Sequence, residues 1–274
     1  KVLEENLDEI TPRVGAQLTI SRILVRDMKK KRQLPGNAVI TDNIDDILND
    51  PEIKIVIELL GGIHPAREGM LKALQAGKNV VTANKDVVAQ FGKDMFAAAE
   101  KSNVDFMFEA SVGGGIPIIT PLKQCLTANK LTEVIGIVNG TTNYMLTKMS
   151  EENANYDEVL KAAQEKGYAE ADPTADVEGL DAARKTAILA SIAFNSRVGL
   201  DKVYTEGITK ITPEDIAYAK ELGYTIKLLS VSRDGEKGID VRVHPALLPQ
   251  SHPVAAVRNE FNSIFVKGTA AGET

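Results

Sequence analysis

Only one cysteine, Cys125, occurs in 274 residues, so no internal disulfide can form and a reducing compartment fits best. No apolar run approaches the roughly 20 residues that span a bilayer, and no signal peptide is expected. A membrane location is therefore not expected, and the cytoplasm is. Basic charge is not in excess: 32 Lys and Arg stand against 38 Asp and Glu, a net charge of -6, with Lys29–Arg32 the one short basic run. Without a basic stripe, nucleic acid is not an expected partner. The three histidines, His64, His244 and His252, are too scattered for a metal cluster or a catalytic triad. There is no internal repeat, no low-complexity segment and no G-x-G-x-x-G turn. A helix start signal is also missing at the front, where KVLEENLDEI reads as the middle or end of a helix, and GTAAGET stops without a terminal element. The natural ends are expected to lie outside this sequence.

What is present is ordinary globular material, 43% hydrophobic and 26% charged, long enough for two domains or one large one. LTISRILV (18–25) reads as a strand, Thr41–Asn49 as a short helix, and IKIVIELL (53–60) as a parallel strand buried on both faces. A helix opened by His64-Pro65 closes at Gly77. NVVTANK (79–85) is a strand running into a loop, Lys93–Lys101 a helix and VDFMFEA (104–110) another strand. That alternation predicts βαβ units and a partial Rossmann-type, doubly wound parallel sheet, so the fold class is α/β. From about residue 129 the rhythm changes. A strand at 132–138 ends in Asn139-Gly140-Thr141-Thr142, where Asn-Gly makes a turn and a Thr caps the next helix. Helices follow at 156–166, 180–195 and 213–223, then strands TIKLLSVS, GIDVRVH and NSIFVKG, the first two joined as a hairpin through Arg233–Glu236. The expected division is a nucleotide-binding domain over 1–128, incomplete at its N-terminus, and an α+β catalytic and dimerisation domain over 129–274.

In such a sheet, ligands bind past the carboxyl ends of the strands. The polar strand ends here are Arg26-Asp27, Leu60-Gly61-Gly62, Thr82-Ala83-Asn84-Lys85 and Glu109. A guanidinium at the second strand end suits a 2′-phosphate, which favours NADP, while Asp27 keeps NAD open. Alone, the basic run reads equally well as a solvated turn. Gly113-Gly114-Gly115 follows a strand, but its spacing is not that of a phosphate loop. An interdomain turn or a carbonyl-lined ion site anchored by Glu109 fits as well.

The most informative stretch is YAEADPTADVEGLDAARK (168–185), with Glu170, Asp172, Asp176, Glu178 and Asp181 ahead of Arg184 and Lys185. Pro173 and Gly179 mark a loop feeding a helix, and Asp181 and Lys185, four apart, share a helix face. Loop acids could hold an ammonium while the lysine polarises or protonates an oxygen. A solvated acidic loop with an exposed ion pair worth ~0.2–0.5 kcal/mol is the commoner arrangement on charge pattern alone.

Taken together, ELLGG (58–62), VTANK (81–85), GIVNGTTNYML (136–146), GYAEADPTADVEGLDAARK (167–185) and YTEGI (204–208) resemble homoserine dehydrogenase, in family order over most of the chain. The resemblance implies reversible NAD(P)-dependent interconversion of L-aspartate 4-semialdehyde and L-homoserine, on the route to threonine and methionine. It implies Lys185 as proton donor and acceptor at the substrate oxygen, Glu170 as ligand of the substrate ammonium, and Asp176 and Asp181 as orienting groups. Lys85 falls at the cofactor–substrate junction, and Thr141 and Tyr168 line the substrate pocket. Arg26, Leu60, Gly61, Thr82, Asn84 and Lys85 fall on the cofactor side. Glu109, Val112, Gly114 and Ile116 match a sodium site, three of them through backbone carbonyls, as a hard cation prefers. The chain departs from the pattern in lacking the glycine fingerprint, the segment that returns to complete the nucleotide domain, and an ACT domain.

The implied chemistry agrees with the residues. Hydride delivery to an aldehyde builds negative charge on oxygen, which an ammonium on a rigid helix can stabilise and protonate. Two other readings stand beside this one. A non-catalytic amino-acid-binding fragment would keep the acids without a working cofactor site. Another aldehyde oxidoreductase, acting on acyl phosphates, would need a thiolate, whereas Cys125 sits in an apolar helix and reads as core. A homodimer paired through the strands of the second half is the expected assembly.

Overall fold

The parallel strands expected from the βαβ rhythm are present in the computed structural model, which describes residues 1–274, but they lie in two sheets. The chain divides into two compact units. The first comprises residues 1–58, 64–81 and 93–107; the second comprises 59–63, 82–92 and 108–274. The boundary expected at 128/129 therefore falls inside the second unit. Two strand-end loops, 59–63 and 82–92, belong to that unit too, because their contacts are made there.

The first unit opens with helices α1 (Val2–Glu5) and α2 (Leu7–Val14). Strands β1 (Arg22–Leu24) and β2 (Val39–Thr41) pair in parallel, Ile23 opposite Ile40. Strand β2 was not expected; three residues are too few to show alternation. Helix α3 (Asp45–Leu48) leads to β3 (Ile55–Glu58), α4 (Ala66–Gln75) and β4 (Asn79–Thr82). Then come α5 (Lys85–Ser102) and β5 (Phe106–Met107), and β3, β4 and β5 form a three-stranded sheet in that order. Helix α4 buries Ala66, Met70, Ala73 and Leu74, one stripe at helical spacing. Strand β3 departs from expectation: it is an edge strand with Ile55 and Ile57 exposed, since nothing covers that face.

The second unit is built on one sheet in the order β11-β10-β6-β8-β9-β7. Its strands are β6 (Leu131–Ile137), β7 (Tyr204–Thr205), β8 (Tyr224–Gly235), β9 (Gly238–Pro249), β10 (Ser263–Gly268) and β11 (Gly272–Glu273). All pairs are antiparallel except β7 with β9. Strands β8 and β9 run further than expected and turn at Glu236-Lys237. On one face Ile135, Ile137, Leu229, Val231 and Leu248 pack with Val254 and Ala255. The helices are α6 (Gly140–Glu152), α7 (Tyr156–Glu165), α8 (Thr174–Val177), α9 (Leu180–Ala193) and α10 (Pro213–Glu221). Helix α9 lies on β8 and β9. Its buried Ala182, Ala183, Ala187 and Ala190 are small enough for close approach, and Thr186 Oγ1 donates to Ser230 Oγ at 2.8 Å.

Candidate active site

Helix α9 is preceded by Gly179 at its N-cap, whose φ of +77° only glycine adopts without strain, and whose Cβ position is bounded by Thr205, Val243 and the Glu206 carbonyl at 3.2–3.3 Å. That close seat fixes the first turn against the sheet. Asp181 in this turn is 6% exposed, and Lys185 one turn later points back towards it. The Lys185 Nζ donates to Asp181 Oδ2 at 2.7 Å and to the Val138 carbonyl at 2.7 Å. Lys85 Nζ lies 3.1 Å from the other oxygen, Asp181 Oδ1. One carboxylate thus holds two ammonium groups, one per oxygen. The exposed ion pair favoured by charge pattern alone is not what forms.

Burial pushes the Asp181 carboxyl up, but Lys185, a hydrogen bond from Asn139 and Lys85 outweigh it, and the pKa falls below the ordinary value. Asp181 therefore remains an anion at neutral pH. Asn139 Nδ2 donates both to Asp181 Oδ2 at 2.9 Å and to Asp176 Oδ1 at 2.7 Å, bringing the α8 acid into the same cluster. Thr141 Oγ1 donates to the Tyr168 carbonyl at 2.7 Å, and the Tyr168 ring packs on Tyr144 with centroids 5.0 Å apart. Glu170 is exposed on the same loop.

Lys85 does not sit in a loop as expected. Helix α5 begins at Lys85, because the Asn84 side chain accepts from Val87 N at 3.1 Å and caps it. The Asn84 amide also donates to the Gly62 carbonyl at 2.7 Å, while Thr82 Oγ1 accepts from Asn84 N at 2.9 Å. Gly61 and Gly62 both take positive φ, and a Cβ at either would meet nothing within 4 Å. Leu60 beside them is exposed. The two glycines thus carry no side-chain bulk on this turn. Arg26 belongs to the first unit and is exposed just beyond β1. The Asp27 carboxylate there accepts from Lys29 N at 2.8 Å.

Glu109 anchors a turn through its side chain. Its carboxylate accepts from Ile118 N, Ile119 N, Thr120 N and Thr120 Oγ1 at 2.6–2.9 Å, so it tethers the turn that follows Gly113–Gly115. Burial raises the Glu109 pKa, but the bonds from Thr120, Ile119 and Ile118 outweigh it and hold it low. Val112, Gly114 and Ile116 lie on that turn, and no group of three or more His, Cys, Asp or Glu could hold a metal ion. Cys125, expected in the core, is exposed. Its segment, Pro121–Cys125, is a π-helical turn that ends there, and residue 125 points outward. His64 pairs with Glu68 at 2.7 Å.

Three participants were not foreseen. Asn139 is hidden because an Asn-Gly pair reads as a turn; in fact it, and not a Thr, caps α6, accepting from Thr142 N at 2.9 Å. Asp86 and Arg184, each next to a site lysine, pair at 2.6 Å. Their adjacency to Lys85 and Lys185 was the available signal.

Comparison with known proteins takes in nearly the whole chain. Residues 117–274 match the family profile described as homoserine dehydrogenase, and 1–109 the one described as homoserine dehydrogenase, NAD binding domain. The chain is 49% identical to the homoserine dehydrogenase of Bacillus subtilis, over 100% of this chain and 64% of that protein. It is 48% identical to that of Mycobacterium leprae, over 99% of this chain and 63% of the relative. Among solved structures, a homoserine dehydrogenase from Thiobacillus denitrificans superposes with a TM-score of 0.95 at 49% identity, covering 100% of this chain and 63% of that one. The S. aureus protein gives 0.87 at 40% identity, covering 100% and 66%. The chain thus spans under two thirds of the length of each of these four relatives.

Proposed function

Because the chain belongs to the homoserine dehydrogenase family, we propose that it forms the nucleotide-binding and catalytic part of an enzyme interconverting L-aspartate 4-semialdehyde and L-homoserine. The observation that carries this reading is Lys185 Nζ held by Asp181 and the Val138 carbonyl, with Lys85 on the opposite carboxylate oxygen. An ammonium has three hydrogens, and two of those on Lys185 are engaged at 2.7 Å. The third is available for a substrate oxygen.

A nicotinamide cofactor, when bound, supplies the hydride that reduces the aldehyde carbon. As charge grows on the aldehyde oxygen, Lys185 stabilises it and donates its proton, and the reverse reaction returns it. Asp181 keeps a cationic partner throughout, because Lys85 stays on Oδ1 when Lys185 becomes neutral. Asp176 orients the substrate, Glu170 takes its ammonium from the solvent side, and Thr141 and Tyr168 form the pocket wall. Leu60, Gly61, Thr82 and Asn84 suit the cofactor side, since the paired positive-φ glycines put no side chain in the way there. Arg26 favours NADP over NAD through a 2′-phosphate, and the Asp27 carboxylate, turned to Lys29 N, does not oppose it. A sodium ion at Glu109, Val112, Gly114 and Ile116 would be held through main-chain carbonyls alone, because the Glu109 carboxylate already takes four donors. The assembly is read as a homodimer in the cytoplasm, with exposed Tyr218, Leu222 and Leu247 as apolar contact material and no helix long and apolar enough to cross a membrane.

The deciding experiment assays the full-length protein with aspartate semialdehyde and NADPH or NADH, beside Lys185→Ala. NADPH should be preferred, and the variant should lose about 10²–10⁴-fold in kcat, the range of general acid–base catalysis. A Lys185→Ala enzyme with near-normal kcat would overturn the mechanism. Absence of any NADPH binding would favour the amino-acid-binding fragment. Activity abolished by alkylating Cys125 would revive the acyl-phosphate oxidoreductase.

A further inference from the structure

Asn139 sits between β6 and α6 with one polar end on each of two jobs. Its Oδ1 accepts from Thr142 N and Thr142 Oγ1, both at 2.9 Å, which closes the first turn of α6. Its Nδ2 faces two carboxylates, Asp176 Oδ1 at 2.7 Å and Asp181 Oδ2 at 2.9 Å. Donors on one side and acceptors on the other leave a single orientation for the amide. The side chain is buried, so water does not stand in for either end. Two carboxylates drawn together without a donor between them repel, and one of them tends to take up a proton.

We propose that Asn139 is a positioning residue for the reaction, its amide nitrogen clamping the Asp176 and Asp181 carboxylates so that Asp181 stays ionised between Lys85 and Lys185. The inference rests on the function proposed above and extends it to a residue outside the set assigned there. The charged groups facing Asp181 are Lys185 from α9, Lys85 from α5 and, across the amide, Asp176 from α8.

Two variants separate clamping from helix capping. Asn139→Ser retains a capping oxygen but is too short to reach either carboxylate. Asn139→Asp retains the cap and places a third acceptor where the donor stood. In the full-length protein, Asn139→Ser should unfold cooperatively, lose about 10–100-fold in kcat and change KM for the amino-acid substrate less than about threefold. Asn139→Asp should lose more, and the acid limb of its kcat/KM profile should move towards neutral pH by about one unit or more. Independently of activity, ¹³C NMR of the carboxyls should show Asp181 titrating at higher pH in both variants. An unmoved Asp181 titration overturns the inference, as does an activity loss that merely tracks lost stability. If the wild type is inactive while its Asp181 titration responds to Asn139, the proposed function fails and the clamp stands.

Discussion

Asp181 shows how one buried charge is kept. Its carboxyl is pushed up by burial and pulled further down by Lys185, Asn139 and Lys85. The sign follows: a folded-state pKa below the unfolded value of about 3.9 gives stability that is complete above that pH and lost as pH falls through the folded value. Asp181→Asn should therefore flatten the acid branch of a urea-stability curve. At pH 7 it should cost about 1–3 kcal/mol, less than a fully buried pair, because Lys85 is partly exposed. Lys227 is the opposite case. It is 2% exposed on β8, donates to Asn143 Oδ1 at 2.8 Å and to the Val257 carbonyl at 2.5 Å, and so ties α6 to the segment before β10. Burial, aided by Arg258 and partly offset by Glu151, lowers its pKa to about 8. Between that value and about 10.4 the unfolded chain holds more protons, so stability should rise with pH over this window. Urea titrations from pH 7.5 to 10 test this, and Lys227→Met should abolish the rise.

Elements show what particular residues in these motifs do. In YTEGI, a Cβ on Gly207 would overlap the Val177 carbonyl, in the short helix that carries Asp176. Gly207→Ala should cost about 1–3 kcal/mol in thermal or urea unfolding, the scale of an overpacked site. Helices α5 and α9 are joined by Asp86 and Arg184, with both lysines one residue before or after the pair. Asp86→Ala should lower kcat/KM by roughly ten- to a hundredfold through misplacement of Lys85. The Asp86→Arg, Arg184→Asp exchange should recover part of that loss, and its failure to do so would separate the pair from lysine placement. The start of α9 was legible because Gly179, Asp181 and Lys185 carry a helix signature in their spacing. The start of α5 was not. Its cap, Asn84, lies in a run that reads equally well as a loop until its side chain is seen bonding Val87 N.

At the scale of the whole molecule, the parallel strands form β1-β2 and β3-β4-β5 and not one sheet. Ile55 and Ile57 on the edge strand β3 are exposed. In the doubly wound strand order, one further parallel strand belongs between β1 and β3. A longer chain supplying it should protect the Ile55–Glu58 amides from hydrogen exchange relative to this chain, and equal exchange would refute the insertion. The alternation of strand and helix patterns made the α/β class readable from order alone, since periodicity is local. Local pattern also marked the acidic loop, the Asp181–Lys185 spacing and the lysine in VTANK. Tertiary structure alone decided that Lys85, nearly a hundred positions earlier, meets the free oxygen of Asp181, that Asn139 bridges two acids, and that Glu109 spends its charge on backbone N–H groups. Those contacts depend on how separate segments pack, which no spacing along the chain records.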